Sequence, residues 1–212
     1  MVDFNDKTFL VLEGIDLSGK TTQAKLISRL LTCKMLASPS VPFSKIKRNV
    51  LENVTPLARF CFFLTSNIQV SEIASTFLRS EHVICDRYIW STIACNSAIE
   101  NVPPAEMIDL VQPLIKSLLM PHIVVYLKVS RKFQLRRAKK CARYLRDDSR
   151  QRKLLASNIF QQRLMEAYEK TKNLIKVPWV EIDTSNMSVL QTAQEIIEAT
   201  NLQLGRGLSI RS

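Results

Sequence analysis

The stretch Leu10–Gln23, LVLEGIDLSGKTTQ, changes character twice within fourteen residues. Its start belongs to Thr8–Glu13 (TFLVLE), a short apolar run that predicts a buried strand. Its end opens Thr21–Leu31, where Ala24, Ile27, Leu30 and Leu31 share one face while Gln23, Lys25, Ser28 and Arg29 lie elsewhere, the pattern of an amphipathic helix. Between them, Gly14-Ile15-Asp16-Leu17-Ser18-Gly19-Lys20-Thr21 matches G-x-x-x-x-G-K-[ST]. A loop of this kind wraps phosphates with inward-pointing backbone N–H groups, and glycine permits the dihedrals that this needs. The expected phosphate contacts are Gly14, Ile15, Asp16, Leu17, Ser18, Gly19, Lys20, Thr21 and Thr22. Lys20 reaches the β- and γ-phosphates, the Thr21 hydroxyl ligates Mg²⁺, and the positive end of the helix meets the anion. Glycine is scarce: of four in the chain, Gly205 and Gly207 fall in the C-terminal tail, and the other two are Gly14 and Gly19.

Working outward, Lys34–Ala37 reads as a second strand, ended by Pro39 and Pro42. Ser44–Val54 and Pro56–Leu78 read as helical, His82–Asp86 (HVICD) as a buried strand followed by a helix to about Glu100, and Ala105–Leu119 as a helix opened by Pro103 and Pro104. His122–Val129 (HIVVYLKV) is a strand and Ser130–Cys141 a helix. A basic turn leads to one long helix from Arg150 to Ile175, then Pro178–Ile182 (PWVEI) as the last strand and Val189–Thr200 as the last helix. Strands alternating with helices imply an α/β, three-layer fold: a five-stranded parallel sheet flanked by helices, with its ligand crevice at the carboxyl ends of the strands. The expectation is one domain over residues 1–204, with 205–212 a tail outside the fold.

The 212 residues carry a net charge of +11, and its distribution is uneven. Lys128–Lys153 holds twelve basic side chains against Asp147 and Asp148 alone. So concentrated a charge implies a polyanionic partner, such as nucleotide phosphates or nucleic acid. Only Phe133 and Tyr144 interleave it, too few aromatics for stacking on a single strand. Five cysteines, none spaced C-x-x-C, suggest neither a disulfide framework nor a zinc site. His82 and His122 begin strands and read as strand-end polar residues rather than ligands. No apolar run approaches the ~20 residues of a membrane helix, and a cytoplasmic protein is expected.

The second chemical signal is Asp86-Arg87-Tyr88, directly after a strand that should lie beside the phosphate loop. An acid there can hold Mg²⁺, and an arginine offers a planar fork to a phosphate. Together with LVLEGIDLSGKTTQ, the segments HVICDRYIWSTIA (His82–Ala94), MPHIVVYLKVS (Met120–Ser130), FQQRLMEAYEK (Phe160–Lys170) and EIDTSNMSVLQTAQEI (Glu181–Ile196) resemble the thymidylate kinase family of P-loop nucleoside monophosphate kinases, in order along residues 8–200. The DRYIW and YLKVS spellings are similar to divergent archaeal members.

The resemblance implies a P-loop NTPase fold with a helical lid at about 136–153, and transfer of the ATP γ-phosphate to dTMP with Mg²⁺. Lys20, Asp16, Arg87, Arg143 and Arg152 would be catalytic. Asp16 would face the acceptor's phosphate and sugar, Arg87 would hold that phosphate, and Thr21 and Asp86 would serve the metal. Pro39, Arg48, Phe63, Asn67, Ser91 and Cys95 would complete the acceptor site, with Phe63 stacked on the base. Leu17 stands where a P-loop arginine could be, so the lid arginines Arg143, Arg146, Arg150 and Arg152 become the expected source of charge. This chain has Lys47 where the family has glycine, Asn67 where many members read the base with arginine, Cys95 at a site often aromatic, and Lys128 where an acid is common. Another nucleoside monophosphate or a deoxynucleoside is therefore an alternative acceptor, and a nucleic-acid-binding P-loop ATPase is the reading from a different class. Family members are commonly homodimers, and the apolar Phe60–Leu64 segment is the expected interface.

Overall fold

The computed structural model describes residues 7–141, 150–205 and Leu208. Five strands form one sheet: β1 (Phe9–Glu13), β2 (Lys34–Ala37), β3 (Val83–Asp86), β4 (Ile123–Lys128) and β5 (Trp179–Asp183). Their order is β2-β3-β1-β4-β5 and every pairing is parallel. The helices are α1 (Lys20–Leu30), α2 (Phe43–Asn53), α3 (Pro56–Phe77), α4 (Ile89–Glu100), α5 (Pro104–Ser117), α6 (Arg131–Ala138), α7 (Arg150–Ala156), α8 (Asn158–Leu174) and α9 (Val189–Leu204).

Alternation along β1 divides the core into two layers. Phe9 and Val11 face a cluster built from α3, α4, α5 and α8, including Phe60, Leu64, Trp90, Ile93, Leu164 and Tyr168. Leu10 and Leu12 face α1 and α9 through Ala24, Ile27, Ala193 and Ile196. Because β1 leads into α1 on one face and β3 into α4 on the other, the two adjacent strands part at their carboxyl ends and open a crevice between them. His82 and His122 sit at the opposite end, where their Nδ1 atoms accept from the Thr8 and Phe9 amides at 2.9 Å and close the start of β1.

Several expectations need correction. The helix expected over 150–175 is two helices. Ser157 leaves the helical region at φ −75°, ψ 109°, and its side chain accepts from the Phe160 amide to start α8. α5 is interrupted at Val111 (φ −125°, ψ 15°), two residues before Pro113. The last helix runs to Leu204 and stops at Gly205 in the left-handed region. The tail is not wholly outside the fold, because Leu208 is buried against the α1–α9 layer and its backbone N–H and C=O both bond to the Asn201 side chain. In the segment Phe60–Leu64, Phe60 and Leu64 are buried at 2% and 3% exposure, whereas Cys61 is exposed and Phe62 and Phe63 are half-buried. Trp90 is fully buried core and does not line the cleft described below. The cysteines are all free, and among the described residues no cluster of three metal-ligating side chains forms and no helix is long and apolar enough to cross a membrane.

Candidate active site

The carboxyl ends of β1, β2 and β3 open into one cleft of about 660 Å³. Its floor is the phosphate loop. Gly14 (φ 139°) passes so close to β4 that a Cβ there would lie 2.4 Å from the Leu127 carbonyl oxygen. Gly19 (φ 105°) turns the chain into α1. Leu17 takes a positive φ of 68° without being glycine, and it packs against the small cluster of Ala138 and Leu155, which Cys141 also joins. The loop is tied down through its carbonyls. Gln134 Nε2 donates to Asp16 O (3.1 Å), Arg137 to Leu17 O (2.9 Å), and Thr184 Oγ1 to Ser18 O (3.0 Å). A planar peptide held by its C=O on one side presents its N–H to the other, as a phosphate cradle requires.

Lys20 is 4% exposed and lies back over this loop, its Nζ donating to Ile15 O at 2.6 Å and Ser18 Oγ at 3.3 Å. Burial, and after it the nearby Arg87 guanidinium, lowers its pKa to about 8. The Thr21 hydroxyl donates to Asp86 Oδ2 at 2.5 Å. The other carboxylate oxygen, Oδ1, is buried and has no hydrogen-bond partner among the described residues. A hydroxyl beside a carboxylate with an uncompensated lone pair fits a hard, oxygen-seeking cation such as Mg²⁺.

Arg87 follows at once and adopts a left-handed φ of 72°. It pairs with the Asp16 carboxylate and donates to Ser91 Oγ (3.0 Å), Gly14 O (3.4 Å) and Tyr168 Oη (3.4 Å). Behind it lies Glu13, the last residue of β1 and wholly buried. The Glu13 carboxylate accepts from the Tyr88 and Ser91 amides (2.9 and 3.1 Å), from Ser91 Oγ and from Tyr168 Oη (3.2 Å). It thereby caps α4, whose own N-cap residue Tyr88 supplies no side-chain bond. Burial pushes the Glu13 pKa up, against the pull of Ser91 and Arg87.

The expected site residues separate into groups. Asp16, Leu17, Gly19, Lys20, Thr21, Thr22, Pro39, Phe63, Asp86, Arg87, Ser91 and Cys95 line the cleft. Arg48 does not: it pairs with Glu52 on α2 with its side chain 78% exposed, whereas its neighbour Lys47 lines the cleft and lies 5.9 Å from the Phe63 ring. Asn67 is fully buried behind the wall, accepting from Ser38 Oγ (2.8 Å) and donating to Thr92 Oγ1 (2.7 Å). Arg143 and Arg146 lie outside the described residues. Arg150 and Arg152 belong to α7, whose Leu154 and Leu155 reach the cleft. Glu13, Tyr168, Gln134, Arg137 and Thr184 had no individual role in the sequence reading, although a lone acid ending a buried strand was a signal for the first.

The thymidylate kinase family model matches residues 12–196, from β1 into α9. The probable thymidylate kinase of Methanocaldococcus jannaschii is 29% identical over 199 residues, covering 91% of this chain and 95% of the relative. That of Methanococcus maripaludis (strain C7 / ATCC BAA-1331) is 28% identical over 200 residues, covering 90% and 94%. In fold, the chain is similar to the thymidylate kinase of Candida albicans (TM-score 0.70, 21% identity, 93% and 94% covered) and to deoxyadenosine kinase from M. mycoides (TM-score 0.67, 20% identity, 92% and 99% covered). Matched over most of its length, with a phosphate loop and an Asp-Arg pair meeting in one cleft, the chain belongs to the thymidylate kinase family.

Proposed function

We propose that this chain transfers the γ-phosphate of ATP to dTMP, giving ADP and dTDP, with the cleft residues above in the roles that their positions suit. One observation carries the assignment of roles. Asp86 and Arg87 are consecutive, yet one side chain meets Thr21 and the other meets Asp16. The metal side and the acceptor side of a phosphoryl transfer are thus held a single residue apart at the end of β3. A phosphate oxygen of dTMP attacks the γ-phosphorus in line, and the bond to the β–γ bridging oxygen breaks. No covalent enzyme intermediate is needed, so positioning and charge neutralisation supply the catalysis.

Lys20 exchanges its loop contacts for the β- and γ-phosphates. Arg87 leaves part of its pairing with Asp16 to grip the acceptor phosphate, and Asp16 turns to the acceptor's sugar and phosphate. Phe63 stacks on the base, with Pro39, Ser91 and Cys95 completing the pocket wall. Thr21 and Asp86 would hold Mg²⁺, which supplies electrostatic stabilisation of the phosphate oxygens. Arg143 and Arg152 are proposed to bring further charge from the lid over the triphosphate and to exclude water.

Steady-state kinetics of two variants test these roles. Lys20→Ala should abolish dTMP-dependent ADP formation, a loss of at least ~10²–10³-fold in kcat. Arg87→Ala should act chiefly on the KM for dTMP and much less on that for ATP. Unchanged activity in either variant rejects that residue's role.

A further inference from the structure

The basic run after β4 divides between two faces of one helix. Residues 131–140, which make α6 and the turn that ends it, hold six basic side chains and no acid. Two of the six point inward. Arg131 donates to Leu155 O and Gln134 Oε1, and Arg137 to Leu17 O and Thr184 O. Gln134 and Ala138 are buried beside them. At about 100° per residue, Lys132, Arg136 and Lys139 project from the opposite face, within roughly 60° of one another. All three are exposed, as is Lys140 just past the helix.

Among the described residues, none of these four cations meets a carboxylate, whereas Lys128 pairs with Glu181, and Lys172 with Glu181 and Glu169. Arg136 lies 5.0 Å from the ring of Phe133, which itself packs against the core. Although the expected lid begins at 136, none of the four lines the cleft. The stripe is convex, so it encloses no nucleoside, and its single-turn spacing matches charges repeated along a line. The one large apolar side chain exposed on α6 is Leu135, at 41%, too little apolar surface to insert into a bilayer. A nucleic-acid duplex carries one phosphate charge per ~1.7 Å of its axis and requires neither a pocket nor an apolar face.

We propose that Lys132, Arg136, Lys139 and Lys140 form a docking surface for the sugar–phosphate backbone of duplex nucleic acid, separate from the nucleotide cleft. Contacts to phosphates alone carry no base information, so the binding is independent of sequence. The two faces of α6 then have different tasks: the inward one clamps the phosphate loop and the outward one meets the polymer, leaving the cleft open to nucleotides. The inference does not depend on which acceptor the cleft takes.

The test is fluorescence anisotropy of short labelled DNA and RNA duplexes with the full chain, across KCl concentrations, with and without saturating ATP and Mg²⁺. Four phosphate contacts predict that log Kd rises with log[salt] at a slope of about 3.6 on B-form DNA, whatever its sequence. Lys132→Gln/Arg136→Gln/Lys139→Gln should lower that slope by about 2.7 and weaken binding by about 10²-fold near 0.1 M salt. Its thermal unfolding and its turnover of nucleotides should stay as in the unaltered chain. The same neutralisation at Lys25, Lys116 and Lys170, exposed on α1, α5 and α8, should leave affinity and slope in place. Binding of either duplex with this pattern supports the proposal, and the tighter one names the polymer. Equal weakening by the two triple variants overturns it, because net charge alone then explains the affinity. Displacement of the duplex by ATP overturns it too, since the binding then belongs to the cleft. So does tighter binding to a single strand, or to phosphatidylglycerol vesicles, than to either duplex.

Discussion

Glu13 ends an apolar strand, carries no exposed surface, and still collects four hydrogen bonds from Tyr88, Ser91 and Tyr168. Those bonds hold Ser91 and Tyr168 where Arg87 meets them, so the acid behind the cleft shapes the arginine in front of it. Its carboxyl is raised above an ordinary value of 4.5 by burial. The folded chain then binds that proton more readily than the unfolded chain, and the cost of the buried charge is relieved as pH falls from neutral toward 4.5. Urea unfolding of the unaltered chain and of Glu13→Gln should show the difference in stability moving in favour of the glutamate as pH falls from neutral toward 4.5. The opposite trend would mean that Arg87 and Ser91 outweigh burial. Lys20, Thr21, Asp86 and Arg87 were legible because a short local motif dictates each. Glu13 was not, because its partner Ser91 lies 78 positions away and only the folded chain brings them together.

At the scale of elements, α6 is better understood as the clamp of the phosphate loop than as a reserve of lid charge. Arg131 donates to Leu155 O and Gln134, and Arg137 bridges Leu17 O to Thr184 O (2.6 Å). Lys128, counted in the same basic run, pairs with Glu181 on the edge strand. Replacing Arg137 by Met strands two carbonyls and frees the loop. The KM for ATP should rise roughly tenfold, the scale of one lost charge-assisted bond, while that for dTMP holds. An equal rise in both would place the effect elsewhere. Helix existence was readable from periodicity, and the boundaries were less so. The break at Ser157 lacks glycine or proline, and its cap forms through one serine hydroxyl within an otherwise continuous helical pattern. α9 runs past Thr200 because Leu204 and Leu208 find apolar cover on the α1 layer, which no local signal announces.

Across the whole molecule, alternation of strands and helices foretold a parallel sheet, and the order β2-β3-β1-β4-β5 supplies what alternation leaves open. Placing β3 beside β1 brings the phosphate loop and Asp86-Arg87 to one crevice although 65 residues separate Thr21 from Asp86. The acceptor wall was the least legible part, since it is shared by α3 and α4 and its geometry depends on how those helices cross. It is also where Lys47, Asn67 and Cys95 depart from the family pattern, so acceptor choice is the sharpest question that the fold poses. Coupled measurement of ADP release with ATP and Mg²⁺, taken across dTMP, dUMP, UMP, dCMP, AMP, GMP and thymidine, addresses it directly. The structure predicts fastest turnover on dTMP, with dTDP as the product and little on dCMP, purine nucleotides or unphosphorylated thymidine. ATP hydrolysis indifferent to dTMP, or thymidine outpacing it, would contradict the assignment of Arg87 to an acceptor phosphate and with it the reading of the cleft.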